Sequence, residues 1–193
     1  EVAQAGAVFA AEMADRDANN QSIVFRLRPV GDGAAAAWSF LFTGDAQQEA
    51  WQMMLEEHHP DRLAARVLKV PHHGSFRNGI TAAALETIGP LYCVNSAGQK
   101  HGLPDSETLN LIRGTGQRFL FCTERNNDRQ HRGPCRGKSA CPRRTKRHFR
   151  SLLVEVDTDT GQAEFHLFTI GPTSGRIRWR PGPIWCPETE WQT

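Results

Sequence analysis

Three polar clusters each follow a short apolar run, and each carries side chains that can bind metal or move protons. Asp45 follows Phe40-Leu41-Phe42-Thr43-Gly44. His72 and His73 follow Leu68-Lys69-Val70-Pro71 and precede Gly74-Ser75. His101 comes shortly after Leu91-Tyr92-Cys93-Val94. A carboxylate beyond a glycine turn can ligate one metal ion or bridge two. The same residue type there also caps helices, and a helical stretch follows at once. Adjacent histidines at a strand end cannot both point the same way. One can face a metal or a reacting group while the other supports it or touches substrate. The bland alternative is a loop pair satisfied by its surroundings. Gly74 permits close backbone approach and Ser75 offers a hydroxyl. His58-His59, beside Glu56 and Glu57, is a contrasting pair that reads as the surface end of a helix.

These clusters need elements to hold them. Ala3 to Asp15 is alanine-rich and built from good helix formers, which predicts a helix. Ser22 to Arg28 alternates, with Ile23, Phe25 and Leu27 on one face and Val24, Arg26 and Arg28 on the other, which predicts a strand. Trp38 to Phe42 and Val67 to Val70 have the profile of short strands buried on both faces. Leu91 to Val94 and Arg118 to Cys122 read as two more strands. Helices are predicted over Ala46 to His58, closed by Pro60, over Thr81 to Ile88, and from Pro104 to Arg113. Leu152 to Val156 and Ala163 to Phe168 flank Asp159-Thr160-Gly161 as a β-hairpin. The tail from Gly171 is rich in Gly, Pro and Trp and has no period. Buried strands alternating with helices predict an α/β fold, whose sites form at strand ends.

The 193 residues suit one domain, and 39% hydrophobic against 23% charged residues excludes global disorder. No stretch approaches the roughly 20 apolar residues of a membrane span. The chain opens on Glu1, and nothing there reads as a signal peptide. Five cysteines show no disulfide-framework spacing, and Cys93 in its apolar run reads as a buried small hydrophobe. A reducing, cytoplasmic setting is the expectation.

"FLFTGDA", "VLKVPHHGS" and "LYCVNSAGQKHGLPDSETLNLI", in that order and separated by helices, resemble the metallo-β-lactamase fold hydrolases. The nearest likeness is to the C-terminal hydrolase domain of the ComEC DNA-uptake proteins, with "NNQSIVFRL" resembling the strand that opens its second half. The likeness spans Asn19 to Thr123. It implies an αββα sandwich with two divalent ions, zinc or manganese, at the sheet edge. By that likeness Asp45 is the bridging metal ligand, and His72 and His73 are the histidine motif that ligates metal or contacts the scissile group. His101 is expected as a further ligand, and Lys69 and Ser75 as substrate contacts. Two departures stand out. The family's His-x-His-x-Asp-His run is absent, since no two of the eight histidines have His-x-His spacing. Leu103 stands where relatives carry the histidine of Gly-His-Pro, so either His101 or Asp105 substitutes or one metal position is weakened. The chain therefore reads as the second half of the domain (1–123), a basic insertion (124–150), and a closing hairpin with its tail (151–193). A second chain or an N-terminal fragment would supply the other half.

The insertion carries ten Lys and Arg residues against only Glu124 and Asp128, in a chain whose net charge is +2. Such segregation suggests a polyanionic partner, DNA or another nucleic acid, with Arg143, Arg144, Lys146 and Arg147 as phosphate contacts. A solvated surface insertion is the plain alternative. Cys122, His131, Cys135 and Cys141 could together make a mixed structural zinc site, but their spacing follows no standard finger, and unpaired thiols in the insertion are the favoured reading. Trp179, Trp185 and Trp191 in the tail are better suited to packing than to base stacking. The function expected is a metal-dependent DNA nuclease needing the missing half. The alternatives are a hydrolase of small esters or phosphoesters, and a metal-less nucleic-acid-binding or regulatory subunit.

Overall fold

β-Branched and aromatic runs pair into one six-stranded sheet whose spatial order follows the chain. Its strands are β1 (Gly6–Phe9), β2 (Val24–Leu27), β3 (Phe40–Phe42), β4 (Val67–Lys69), β5 (Tyr92–Asn95) and β6 (Phe119–Cys122). The computed structural model describes residues 6–9, 18–30, 34–57, 60–97, 103–114, 118–123, 150–157, 159–170 and 177–178. Strands β1 to β3 pair antiparallel, whereas β3 to β6 run parallel. Each parallel crossover carries helix: α1 (Gln48–Glu57) and α2 (Pro60–Leu63) before β4, α3 (Ala82–Ile88) before β5, and α4 (Ser106–Arg113) before β6. The protein is thus a mixed α/β fold with its parallel strand ends gathered along one edge.

Among the described residues, the four α-helices all lie on one face. Trp51, Leu63, Leu85 and Ile112 pack there with Val24, Leu41, Leu68, Cys93 and Leu120 from the sheet. Burying side chains of this size contributes about 1.5–3 kcal/mol each. Helix α3 is bounded as its sequence dictates: Thr81 Oγ1 accepts from the Ala84 amide, and Gly89 takes a left-handed backbone just past the end. Pro60 starts a helix as well as ending one, since its missing amide is harmless at a first helical position.

The opposite face is covered over its parallel strands by a smaller sheet, β7 (Arg150–Val156), β8 (Ala163–Ile170) and β9 (Ile177–Arg178). The layer between the sheets is aromatic. Phe165 stacks on Phe121 at 4.7 Å and meets Tyr92 at 4.9 Å, and Trp38 stacks on Tyr92 at 5.4 Å. Trp38 Nε1 donates to the Gly161 carbonyl at 2.7 Å, fastening the hairpin turn to the main sheet. Over β2 and β3 the same face is open: Phe25 and Phe42 stack at 4.8 Å yet remain exposed, as do Ile23 and Leu27. The predicted α/β class and hairpin are present. The αββα arrangement would need a helical layer outside β7–β9, and the described helices all lie on the other side.

Two expectations are corrected. Within the predicted N-terminal helix, Gly6–Phe9 is a strand paired with β2. The alanine-rich composition favoured a helix, but a sheet edge with unpaired amides and carbonyls outweighs a propensity of a few tenths of a kcal/mol per residue. The tail, read as having no regular structure, contributes β9, which pairs Ile177 with Ile170. Among the described residues, no helix is long and apolar enough to cross a membrane.

Candidate functional site

The turns after β3, β4 and β5 meet at the edge of the sheet, and hydrogen bonds tie them to one another. Gly44 has φ +53°, and its carbonyl accepts from Lys69 Nζ at 2.6 Å and from the His72 amide at 3.4 Å. Thr43 Oγ1 donates to the Lys69 carbonyl at 2.8 Å. The Asp45 amide donates to Ser22 Oγ at 3.0 Å. A β-carbon at Gly44 would lie 2.9 Å from the Ser22 side chain, so this turn needs glycine for space as well as for backbone angle. Asp45 does not cap α1. That helix begins at Gln48, and the Gln47 amide donates to Asn20 Oδ1 instead.

The His-His-Gly segment is strained in a specific way. His72 (φ 45°, ψ 43°) and His73 (φ 54°, ψ 18°) both adopt left-handed backbone, and Gly74 follows at φ +83°. Two consecutive non-glycine residues in that region are uncommon, and each costs about 1–3 kcal/mol. The surroundings hold them there. The Ser75 amide donates to the His72 carbonyl at 2.9 Å, the Asp105 amide to the Gly74 carbonyl at 2.9 Å, and the Phe76 amide to Asp105 Oδ2 at 2.8 Å. Gly74 presses against Pro104 and Asn95, where a β-carbon would lie 2.5 Å from Pro104 Cβ.

This geometry separates the two histidines. His73 Nδ1 lies 2.7 Å from the Ser96 carbonyl, so a protonated Nδ1 donates there and Nε2 is presented to Asp45 Oδ2 at 3.6 Å. Two acceptors face each other at that distance, too far for a hydrogen bond. A cation between them, a proton or a metal ion, turns the contact favourable. Two ligand atoms bonded to one ion at about 2.0–2.2 Å and near-tetrahedral angles lie roughly 3.4 Å apart, so the pair fits a metal edge. Asp45 and His73 are also part-open to solvent, at 36% and 46% side-chain exposure, which leaves room for further ligands. His72 turns elsewhere, and its buried Nδ1 has no hydrogen-bond partner.

The predicted site residues therefore divide. Asp45 meets His73 rather than His72, and no three-ligand group containing Asp45 and His72 forms among the described residues. Lys69 lies inside the turn cluster, with Nζ 3.7 Å from Asp45 Oδ1. Its burial lowers the ammonium pKa, and the Asp45 carboxylate partly offsets this. Ser75 is half-buried and closes the turn through its amide. Asp105 tethers the Phe76 amide. Cys122 is buried on β6, with Asn95 Nδ2 directed at its Sγ at 3.8 Å. His101, His131, Cys135, Cys141, Arg143, Arg144, Lys146 and Arg147 lie outside the described residues. Sequence reasoning missed Ser22 and Ser96. Their signal was position, since each flanks a strand that ends or begins at the site edge.

Comparison with protein-family models, curated proteins and solved structures gives no match.

Proposed function

We propose that this chain contributes one wall of a metal-dependent phosphodiester hydrolase, with DNA as the substrate. The observation that carries this reading is the approach of Asp45 Oδ2 to His73 Nε2 at 3.6 Å, at the ends of adjacent parallel strands. Asp45 and His73 would hold a divalent ion, zinc or manganese, in a centre of two. Such ions lower the pKa of a water and neutralise charge on the phosphoryl oxygens. Within the chain, the Ser96 carbonyl orients His73, Ser22 and Gly44 aim Asp45, and Lys69 places a positive charge beside the carboxylate. The scaffold in this reading is the metallo-β-lactamase sandwich. A second chain or an N-terminal fragment completes the ligand set and the layer over β2 and β3. The ten basic residues of 124–150 favour nucleic acid over a small ester.

One observation favours a second reading, a metal-less nucleic-acid-binding subunit. Lys69 Nζ sits close enough to Asp45 to balance its charge without any metal. The test offers DNA to the protein in its complete assembly with Mn(II) or Zn(II), and again after EDTA. Asp45→Ala and His73→Ala should each lower cleavage at least about a hundredfold, and EDTA should abolish it. Cleavage that survives EDTA or Asp45→Ala overturns the hydrolase reading. DNA binding without metal-dependent cleavage supports the second.

A further inference from the structure

The hairpin of β7 and β8 carries a separate group of ligand-type side chains, on the face turned away from the six-stranded sheet. Alternation decides that face. Ala163 and Phe165 pack into the layer between the sheets, so Glu164 and His166 point the other way. Glu155 and Glu164 are direct cross-strand partners, and like charges in that relation repel. His166, two residues beyond Glu164, brings Nε2 within 2.8 Å of Glu155 Oε2 and 3.4 Å of Glu164 Oε2. Although it stands on the outward face, His166 is only 4% exposed. One ligand atom from each of the three lies within 4.8 Å of the others.

We propose that Glu155, Glu164 and His166 form a divalent-cation site that clasps β7 to β8. Three features support it together. The opposed carboxylates create a need for positive charge between them. The imidazole nitrogen is buried and directed at both, which gives a mixed donor set suited to manganese or zinc. The regular strand register fixes where all three residues start, so little ordering remains to be done on binding. The two glutamates are part-exposed, so their carboxylates are within reach of an ion from solvent. A protonated His166 bridging both carboxylates is the competing arrangement. The site is independent of the Asp45–His73 reading.

The experiment strips the full 193-residue chain with EDTA, dialyses it, and titrates it with Mn(II) followed by electron paramagnetic resonance. Manganese prefers carboxylate and imidazole to thiolate, which keeps the five cysteines out of the signal. A parallel arm measures the melting temperature with Zn(II). In the Asp45→Ala chain, where the sheet-edge pair is removed, one Mn(II) per chain is expected, weakened at least tenfold by adding Glu164→Gln or Glu155→Gln. Zn(II) should raise the melting temperature of the parent chain more than that of Glu164→Gln. Both glutamates are part-exposed, and circular dichroism checks that each variant keeps its fold. The proposal is overturned if neither ion binds the parent chain, which leaves the His166 imidazolium as the bridge. It is equally overturned if Mn(II) binding to the Asp45→Ala chain survives the double Glu155→Gln/Glu164→Gln change, or if Asp45→Ala by itself removes all Mn(II) binding.

Discussion

Replacing His72 by glycine should leave the protein more stable than replacing it by alanine. His72 holds φ 45° and ψ 43°, a conformation that costs an L-residue about 1–2 kcal/mol and glycine almost nothing. Glycine returns part of that gain, because the unfolded chain becomes freer by about 0.4–1 kcal/mol. The proper comparison is with His72→Ala, which removes the imidazole but keeps the β-carbon. The glycine variant should then exceed the alanine variant by about 0.5–1 kcal/mol, or roughly 2 °C in melting temperature for a chain of this size. The same pair of substitutions at His73 (φ 54°, ψ 18°) should behave alike. Urea and thermal unfolding, followed by circular dichroism, measure the difference. A glycine variant no more stable than its alanine counterpart refutes the argument that this turn stores strain. A stabilised His73→Gly that has also lost metal-dependent cleavage would show strain retained for the sake of the site.

Other outcomes follow from the same structure. Gly74→Ala should destabilise by roughly 2 kcal/mol or more, read by thermal melt, because its β-carbon would press within 2.5 Å of Pro104 Cβ at φ +83°. Burial pushes the Cys93 thiol up from 9.0 to about 12. Its contribution to stability is therefore complete below pH 9 and fades as pH rises toward 12, by up to about 4 kcal/mol, a slope that urea melts of Cys93→Ala should lack. Exchanging Arg143, Arg144, Lys146 and Arg147 for Ser should weaken DNA binding and flatten its log–log salt slope by up to about 3–4 units. An unchanged slope in fluorescence-anisotropy titrations would remove the insertion as the nucleic-acid grip.

The parallel core was legible because β4, β5 and β6 are apolar on both faces and end in polar turns, a pattern that composition alone displays. Strand β2 was legible in period but not in orientation. Val24 faces the helices and is buried, whereas the more apolar Ile23, Phe25 and Leu27 side is exposed. Alternation reports that two faces differ and says nothing of what will cover either. The strand at Gly6–Phe9 was hidden because pairing energy comes from β2, a partner local propensity does not see. At the site, the positions of Asp45 and the histidine pair could be read from residue types. Which histidine would meet Asp45 could not, because that depends on left-handed backbone at both His72 and His73, and on the Ser96 carbonyl that turns the His73 ring. Position 105 offered an acidic side chain, but the Phe76 amide claims it, a bond set by how α4 docks.

The turns at the sheet edge are joined to each other and to the neighbouring strand ends. Lys69 and the His72 amide both hold the Gly44 carbonyl, Thr43 holds the Lys69 carbonyl, and Asp105 holds both the Gly74 carbonyl and the Phe76 amide. Such a mesh opens as a unit or stays shut. Amide exchange at His72, Phe76 and Asp105 should therefore share a single opening free energy, well above that of ordinary surface loops. Any molecule captured between Asp45 and His73 would slow all three amides together, including those it never touches.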